Sequence, residues 1–387
     1  VRVRQLKIIY FVCNKITFPL HLQSLKLTNF KNYAWQEISC SPQINCFLGL
    51  NGMGKTNLLD AIYYTCMTKS HTALADNNLV RHDADFFRIE AYFDMGDRTD
   101  KVVAKVIPRK SKIFERNDVA YTKLSQHIGA FPVVMIAPAD TDLITDSSEV
   151  RRRLLDNTLS QIDATYLNTL LIYNKILQQR NAALKKFAEQ RQFDAKLLSV
   201  YNIQLAAPAA LIAQKRQAFV VDFQLILQDA YTAIANGSET VDCQYESKLT
   251  DKPITQLFDE TLDKDRHLQR TTAGIHRDDL LLRLNNHPAK QFASQGQLKS
   301  LVLALKLAQY EILRREKKMR PLLLLDDIFD KLDKNRVQRL LELLLQQDFG
   351  QIFITDTDEQ RVRQMLHHLN THYRIYHVEH GTAQLNN

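Results

Sequence analysis

Gly49-Leu50-Asn51-Gly52-Met53-Gly54-Lys55-Thr56 follows the apolar run Ile44-Asn45-Cys46-Phe47-Leu48 and leads into Asn57-Leu58-Leu59-Asp60-Ala61-Ile62-Tyr63. The octet has the spacing G-x-x-x-x-G-K-T, which predicts a strand, a glycine-rich loop and a helix in that order. Gly49, Gly52 and Gly54 let the backbone turn tightly, so that successive N–H groups face one anion. Leu50, Asn51 and Met53 fill the loop between them. Lys55 is placed to reach the β- and γ-phosphates of a nucleotide, and the Thr56 hydroxyl to ligate Mg2+. Leu58, Leu59, Ile62 and Tyr63 give the following helix an apolar side, and its positive end points at the same anion. The stretch therefore predicts an α/β fold with a nucleotide site at a strand–helix junction.

Such a loop needs an acid on a neighbouring strand to organise the metal. Pro321-Leu322-Leu323-Leu324-Leu325-Asp326-Asp327 reads as a fully buried strand with two carboxylates at its end. Asp326 is placed to hold Mg2+, and Asp327 to polarise the attacking water as general base. About 270 residues separate loop and acids, too many for a simple kinase or GTPase core. Asn174-Lys175 continues as Ile176-Leu177, so no guanine-reading N-K-x-D is present and an adenine nucleotide is preferred. Ala293-Ser294-Gln295-Gly296-Gln297-Leu298 opens the apolar helix Leu301–Leu313. Taken alone, that turn reads either as a second anion-binding helix end or as an ordinary cap.

The rest of the composition sets bounds. Hydrophobic content of 45% with 24% charged residues is ordinary for a soluble globular chain. A net charge of +8 hints at polyanionic partners without requiring them. Cys13, Cys40, Cys46, Cys66 and Cys243 show no C-x-x-C and no zinc-like spacing, which fits free thiols in a reducing cytoplasm. No run of about 20 apolar residues is evident, so no membrane span is expected. Residues 1–20 combine basic and short apolar stretches without a cleavage site, and are expected to lie outside the core. Residues 21–146 read as β-rich around the loop, with alternating strands at Leu22–Leu27, Phe87–Phe93 and Lys101–Ile107. Residues 147–240 read as a helical lobe punctuated by Pro208 and by 236–238. Residues 241–387 return to mixed strand and helix.

Several motifs in order carry a resemblance. They are Leu22-Gln23-Ser24-Leu25-Lys26-Leu27-Thr28-Asn29-Phe30-Lys31-Asn32-Tyr33, the glycine loop, Arg151-Arg152-Arg153-Leu154-Leu155-Asp156 and Gln179-Arg180-Asn181. Gly274-Ile275-His276-Arg277-Asp278-Asp279-Leu280, Ser294–Gln297, Leu322–Asp327 and Ile352–Thr355 follow. The chain resembles the RecF family of recombinational-repair ATPases, relatives of SMC proteins and ABC cassettes.

The resemblance implies an ABC-ATPase-like head of mixed sheets and helices with a compact helical second lobe. It implies ATP with Mg2+ as ligands, and an ATP-dependent homodimer in which Ser294, Gln295, Gly296 and Gln297 complete the partner copy's site. Asp333 would be the D-loop acid, Thr355 a switch residue sensing the γ-phosphate, and Lys31 a basic residue near the phosphates. Ile275 stands where relatives usually have proline, and Asp330 where they usually have serine. Double-stranded and gapped DNA are the implied partners, with the mediator proteins RecO and RecR, and no membrane. Arg109, Lys110, Lys112, Arg151, Arg152 and Arg153 are the candidate phosphate contacts, each open also to reading as a solvated basic face. A structural SMC-like head or a transport cassette is the rival reading. Long heptads would favour the first, and a much shorter spacing between loop and acids the second.

Overall fold

The computed structural model describes residues 19–386 apart from 73, 236–238, 330–339, 341–342, 345–348 and 368–371. β1 (His21–Phe30) and β2 (Tyr33–Ser39) form a hairpin, β3 (Ile44–Leu48) enters the glycine loop, and α1 (Lys55–Met67) leaves it. β4 (Phe87–Asp94), β5 (Thr99–Ile107), β6 (Ser111–Arg116) and β7 (Val119–Ala120) form a meander, and β8 (Val133–Ile136) follows. Helices α2 (Asp142–Thr145), α3 (Ser148–Ile162), α4 (Ala164–Gln190) and α5 (Ala195–Ala235) come next. Then come β9 (Val241–Glu246), α6 (Ile254–Glu260), α7 (Leu262–Leu268), β10 (Asp279–Leu284), β11 (His287–Pro288) and α8 (Ala289–Phe292). The last described elements are α9 (Gln295–Lys317), β12 (Leu322–Leu325), β13 (Ile352–Asp356), α10 (Glu359–His367), β14 (Tyr373–Glu379) and β15 (Thr382–Leu385).

The chain divides into two compact units. The first takes residues up to Asp140 with 229–237 and 299–387; the second takes 141–228 and 238–298. The sequence reading placed 241–298 with the head, whereas β9–β11 group with the helices. The physical reason is polar anchoring. Arg151 on α3 binds Asp279 at the start of β10, and Gln224 on α5 exchanges hydrogen bonds with Cys243 N and Val241 O of β9.

Two six-stranded sheets build the first unit. One is antiparallel, in the order β2-β1-β4-β5-β6-β7. Its inner face, carrying Leu25, Leu27, Ile89, Ala91 and Ala104, is buried, as period-two alternation predicts. Asn117 and Asp118 both take positive φ (52° and 63°) in the two-residue turn between β6 and β7, the mirror-image turn that matches strand twist. The other sheet, β15-β14-β3-β13-β12-β8, is parallel except for β14–β15. Its central strands are apolar on both faces, hence the unbroken Leu322–Leu325 run. α1 buries Leu58, Leu59, Ile62, Tyr64 and Cys66 in the core cluster shared with strands of both sheets.

α5 corrects one expectation and bears on another. It runs through Pro208 without a break. Proline removes one bond to the carbonyl four residues back, here that of the exposed Gln204. It is also long and apolar enough, by composition, to cross a membrane, with a mean hydropathy of 1.3 over 18 residues. Within the second unit it buries Leu198, Leu205, Ala209 and Ile212.

Candidate nucleotide site and its relatives

The parallel sheet sets the chemistry side by side. Phe47 and Leu48 on β3 lie opposite Thr355 and Asp356 on β13, and Ile354 lies opposite Leu325 on β12. The glycine loop, Asp326-Asp327 and Thr355 therefore leave adjacent strands at their carboxyl ends, where open α/β sheets bind ligands.

The loop is held from outside by segments far away in sequence. A Cβ on Gly49 would stand 2.2 Å from the Val378 carbonyl oxygen of β14, and one on Gly54 (φ 116°) 2.5 Å from the Asn32 amide. Neither position admits a side chain. Asn32 Nδ2 donates to Met53 O at 3.0 Å, Tyr33 Oη donates to Gly54 O at 3.1 Å, and Gly381 N donates to Met53 O at 3.1 Å. Asn57 Nδ2 donates to Asn32 Oδ1 at 2.7 Å. These supports from the β1–β2 turn and the β14–β15 hairpin were not read from the sequence. Only the His380-Gly381 turn, both residues at positive φ, carries a local signal.

Lys55 is 3% exposed and its ammonium donates to Gly49 O (2.8 Å) and Leu50 O (3.2 Å) at the mouth of the loop. Thr56 Oγ1 donates to Asp326 Oδ1 at 2.8 Å, and Thr355 Oγ1 donates to the same oxygen at 2.8 Å. Thr355 Oγ1 also accepts from Asp327 N at 2.9 Å and lies 3.3 Å from Asp327 Oδ1. One buried hydroxyl thus ties both carboxylates. Burial pushes the Asp326 carboxyl above the usual carboxylate range, against the two hydroxyl bonds and the Lys55 charge; the neighbouring Asp327 adds to the rise. An acid so placed, with its Thr56 partner, is suited to a divalent cation, whose charge would reverse that rise. Thr56 commits its proton to Asp326 and keeps its oxygen lone pairs for a metal.

The remaining candidates divide. Lys31 binds Asp60 of α1 at 2.6 Å, which also accepts from Ser70 Oγ and His71 N. Its ammonium is thereby tied to α1. Asp356 pairs with Arg361. Asp333 lies outside the described residues, as does Asp330. In the second unit, Ser294 and Gln297 cap α9 reciprocally: Ser294 N donates to Gln297 Oε1 (2.7 Å) and Gln297 N to Ser294 Oγ (3.3 Å). Gln297 Nε2 reaches Glu239 at 2.5 Å, while Ser294 and Gln295 are exposed and Gly296 half-buried. Arg151 is bidentate on Asp279 (2.7 and 2.9 Å), and Arg152 binds Ser148 Oγ and Asp278 O. Arg153 pairs with Glu149 on the surface. Lys112 is held by Asp76 (2.8 Å) and Thr68 O (2.6 Å). Arg109 and Lys110 are exposed at the β5–β6 tip. Lys112, Arg151 and Arg152, candidates for phosphate contacts or for a solvated basic face, are thus each engaged within the chain.

His276-Arg277-Asp278-Asp279 belongs to an internal network. Arg216, 1% exposed, donates to Asp156 (2.7 Å), Ile275 O (2.8 Å) and Tyr166 Oη (3.0 Å), and Tyr245 Oη donates to Asp278. Among the described residues no three His, Cys, Asp or Glu side chains are grouped to hold a metal.

The family model of the RecF/RecN/SMC N-terminal domain matches residues 21–384. A DNA replication and repair protein RecF of Flavobacterium johnsoniae is 43% identical over 360 residues, covering 93% of this chain and 100% of its own. The chain belongs to the RecF family. A second such protein, of Parabacteroides distasonis, is 40% identical over 363 residues, 94% of this chain and 98% of its own. The family is thus one of DNA replication and repair proteins. A solved structure of the recombination mediator protein RecF with ATP, in the RecFOR pathway, superposes with a TM-score of 0.87 at 27% identity. It covers 97% of this chain and 100% of its own. The Smc head domain of Pyrococcus furiosus, at 15% identity and TM-score 0.55 over 95% of this chain and 96% of its own, shares the fold. The expected ATPase-head fold of mixed sheets and helices stands.

Proposed function

We propose that this chain is an ATP-driven DNA-binding protein of recombinational repair and replication. ATP with Mg2+ joins two copies on duplex DNA beside single-strand gaps, and slow hydrolysis releases them. The observation that carries the reading is the bonded chain Thr56–Asp326–Thr355–Asp327 beside a loop that admits no side chain at Gly49 or Gly54. Loop N–H groups and Lys55 bind the phosphates. Thr56 and Asp326 would hold Mg2+, which would neutralise phosphate charge. Asp327 accepts the proton of the attacking water, and Thr355 keeps it aimed. Ser294, Gly296 and Gln297 of one copy face the γ-phosphate held by the other, with Asp333 along that interface.

DNA contacts begin with Arg109 and Lys110, the two exposed candidates with no ion pair among the described residues. Such contacts are backbone-directed and steep in salt. RecO and RecR are the partners, recombinase loading the outcome, and the cytoplasm the place. The rival reading is an SMC-like or transport-associated head. Against it stand helices without sustained heptads and full-length relatives named for DNA replication and repair.

The test is fluorescence anisotropy of labelled duplex and gapped DNA with the Asp327→Asn protein, with and without ATP, at two salt concentrations. Tight, salt-sensitive binding only with ATP is expected. Absence of DNA binding in every state would move the function to a protein-partnered head and leave only the nucleotide site.

A further inference from the structure

The antiparallel sheet of the first unit carries, on its outer face, the chain's one tryptophan. Trp35 lies on the edge strand β2 and is 65% exposed. Its ring offers an open flat face on which a base can stack. Its cross-strand row identifies the surroundings. Trp35 is opposite Thr28, Thr28 opposite Arg88, Arg88 opposite Lys105, and Lys105 opposite Ile113. The row contains cations and no acid. Lys105 makes no ion pair among the described residues and stands over the Phe86 ring at 5.8 Å. The row ends at Ile113, two register pairs from the β5–β6 turn, which carries exposed Arg109 and Lys110. Exposed Arg81 is tied by its backbone to Asn29 O, at the same end of β1.

Acids do occur on this face, and their placement is informative. Glu37 and Glu90 lie in the next row, engaged by Lys26 and Arg88 respectively, and Glu115 is in register with Val103 there. Asp83 pairs with His82, and Asp85 is exposed. The cations without an ion pair among the described residues, Lys105, Arg109 and Lys110, therefore gather toward the β5–β6 end of this face.

We infer that Trp35 is a stacking platform for an unpaired base, with Lys105, Arg109 and Lys110 tracking the adjoining phosphates of a single strand at a gap. This rests on the DNA reading above and names the part of the DNA that this face takes. Three strand spacings, about 14 Å, separate Trp35 from Lys105, comparable to roughly four phosphates of a stacked strand at 3.4 Å each. Exposed aromatics interleaved with cations bind single strands by stacking, without sequence preference. A protein partner fits less well. Protein interfaces centre on apolar ground depleted of charge, whereas Trp35 is followed across the sheet by Thr28, Arg88 and Lys105.

The sole tryptophan makes the test direct. Full-length protein with ATP is titrated with a duplex carrying a short single-stranded gap and with the same duplex fully paired. Anisotropy and intrinsic tryptophan emission are read together. The gapped probe should quench the emission and the paired probe should not. Trp35→Ala should weaken the gapped probe on the order of tenfold, the loss expected of one stacked base, and leave the paired probe within about twofold. Trp35→Phe, which keeps a ring, should recover most of the affinity. Gapped DNA bound equally well by Trp35→Ala, with unchanged wild-type emission, would overturn the stacking role and leave the DNA reading intact. An emission change with ATP alone, together with failure of Trp35→Ala to dimerise, would assign the face to a second copy and overturn it equally. No binding of either probe would overturn both.

Discussion

The nucleotide loop of the first unit and the arginine network of the second use the same side-chain chemistry to opposite ends. Around Arg216 the polar groups are answered internally: three of its hydrogen bonds end on Asp156, Ile275 O and Tyr166, and Asp278 has Tyr245. Burial pushes the Asp278 carboxyl up, while Tyr245, Arg216 and Arg152 oppose the rise. Such a network is a lock. At the loop, by contrast, the Asp326 carboxylate accepts from the hydroxyls of Thr56 and Thr355, and among the described residues it forms no ion pair. Glycine at 49 and 54 keeps side chains out. A site built to take a charged ligand carries its carboxylate without a permanent cationic partner; a structural network does not.

The largest test of that contrast is Asp327→Asn. If the loop is a reaction site, the substitution lowers ATP turnover by about 10²–10⁴-fold, the usual contribution of a positioned base. ATP affinity and thermal stability should stay near wild type, because Asp327 is not part of the core. Unchanged turnover in a single-turnover assay would remove Asp327 from the reaction. Arg216→Ala should do the reverse. Deleting one member of a buried ion network costs about 3–5 kcal/mol by leaving carboxylates uncompensated, here Asp156 and Asp278. The urea midpoint should fall sharply while ATP affinity of the folded fraction holds. A small shift in midpoint would mean that water replaces the guanidinium, and the lock reading would fail.

The same contrast explains what the sequence made legible. Gly49–Thr56 and Leu322–Asp327 were readable because local spacing alone dictates a strand, a turn of one geometry and a helix or carboxylate after it. The supports of the loop were not, since Asn32 reaches it by side-chain bonds from the hairpin of the other sheet and Val378 and Gly381 through the pairing of β14 with β3, and neither leaves a periodic trace. The pairing of Lys31 was not legible for a related reason: its partner Asp60 sits on α1, and nothing in either segment announces the pair. Arg151 and Arg152 looked like a basic patch in one dimension, but two of the three guanidinium groups fold inward. Pro208 misled because a single missing hydrogen bond on an exposed side is tolerated within a 41-residue helix.

Buried histidines sharpen the comparison on a smaller scale. His127 in the first unit donates through Nε2 to Thr65 O at 2.6 Å, and its Nδ1 has no partner among the described residues. Burial, above all, lowers its pKa to about 4. His276 in the second unit uses both nitrogens, on Thr271 O and Tyr173 Oη, and burial likewise lowers it to about 4. Both are neutral when folded and protonate more readily when unfolded. Their contribution is thus complete above pH 6.5 and is lost as pH falls from there toward 4. From pH 7 to pH 5, His127 alone should remove roughly 2 kcal/mol. His127→Gln should flatten that part of the pH dependence of the urea midpoint. An unchanged slope would show that protonated His127 finds an acceptor after all.

The smallest stability effect belongs to Ser294, where the two readings of one residue can be separated. As a helix cap it is worth about 1 kcal/mol, and Asn or Asp in its place caps equally well. As a γ-phosphate contact across a dimer it is not replaceable by Asp, whose charge opposes the phosphate. Ser294→Asp should therefore melt within a degree or two of wild type and bind ATP as a monomer, yet show no ATP-induced dimer by light scattering. Ser294→Ala should lose both the cap and the dimer. If Ser294→Asp dimerises normally with ATP while Ser294→Ala only loses stability, the residue is a cap and nothing more. The exposed turn at the start of α9 would then belong with the structural network of the second unit rather than with the nucleotide site.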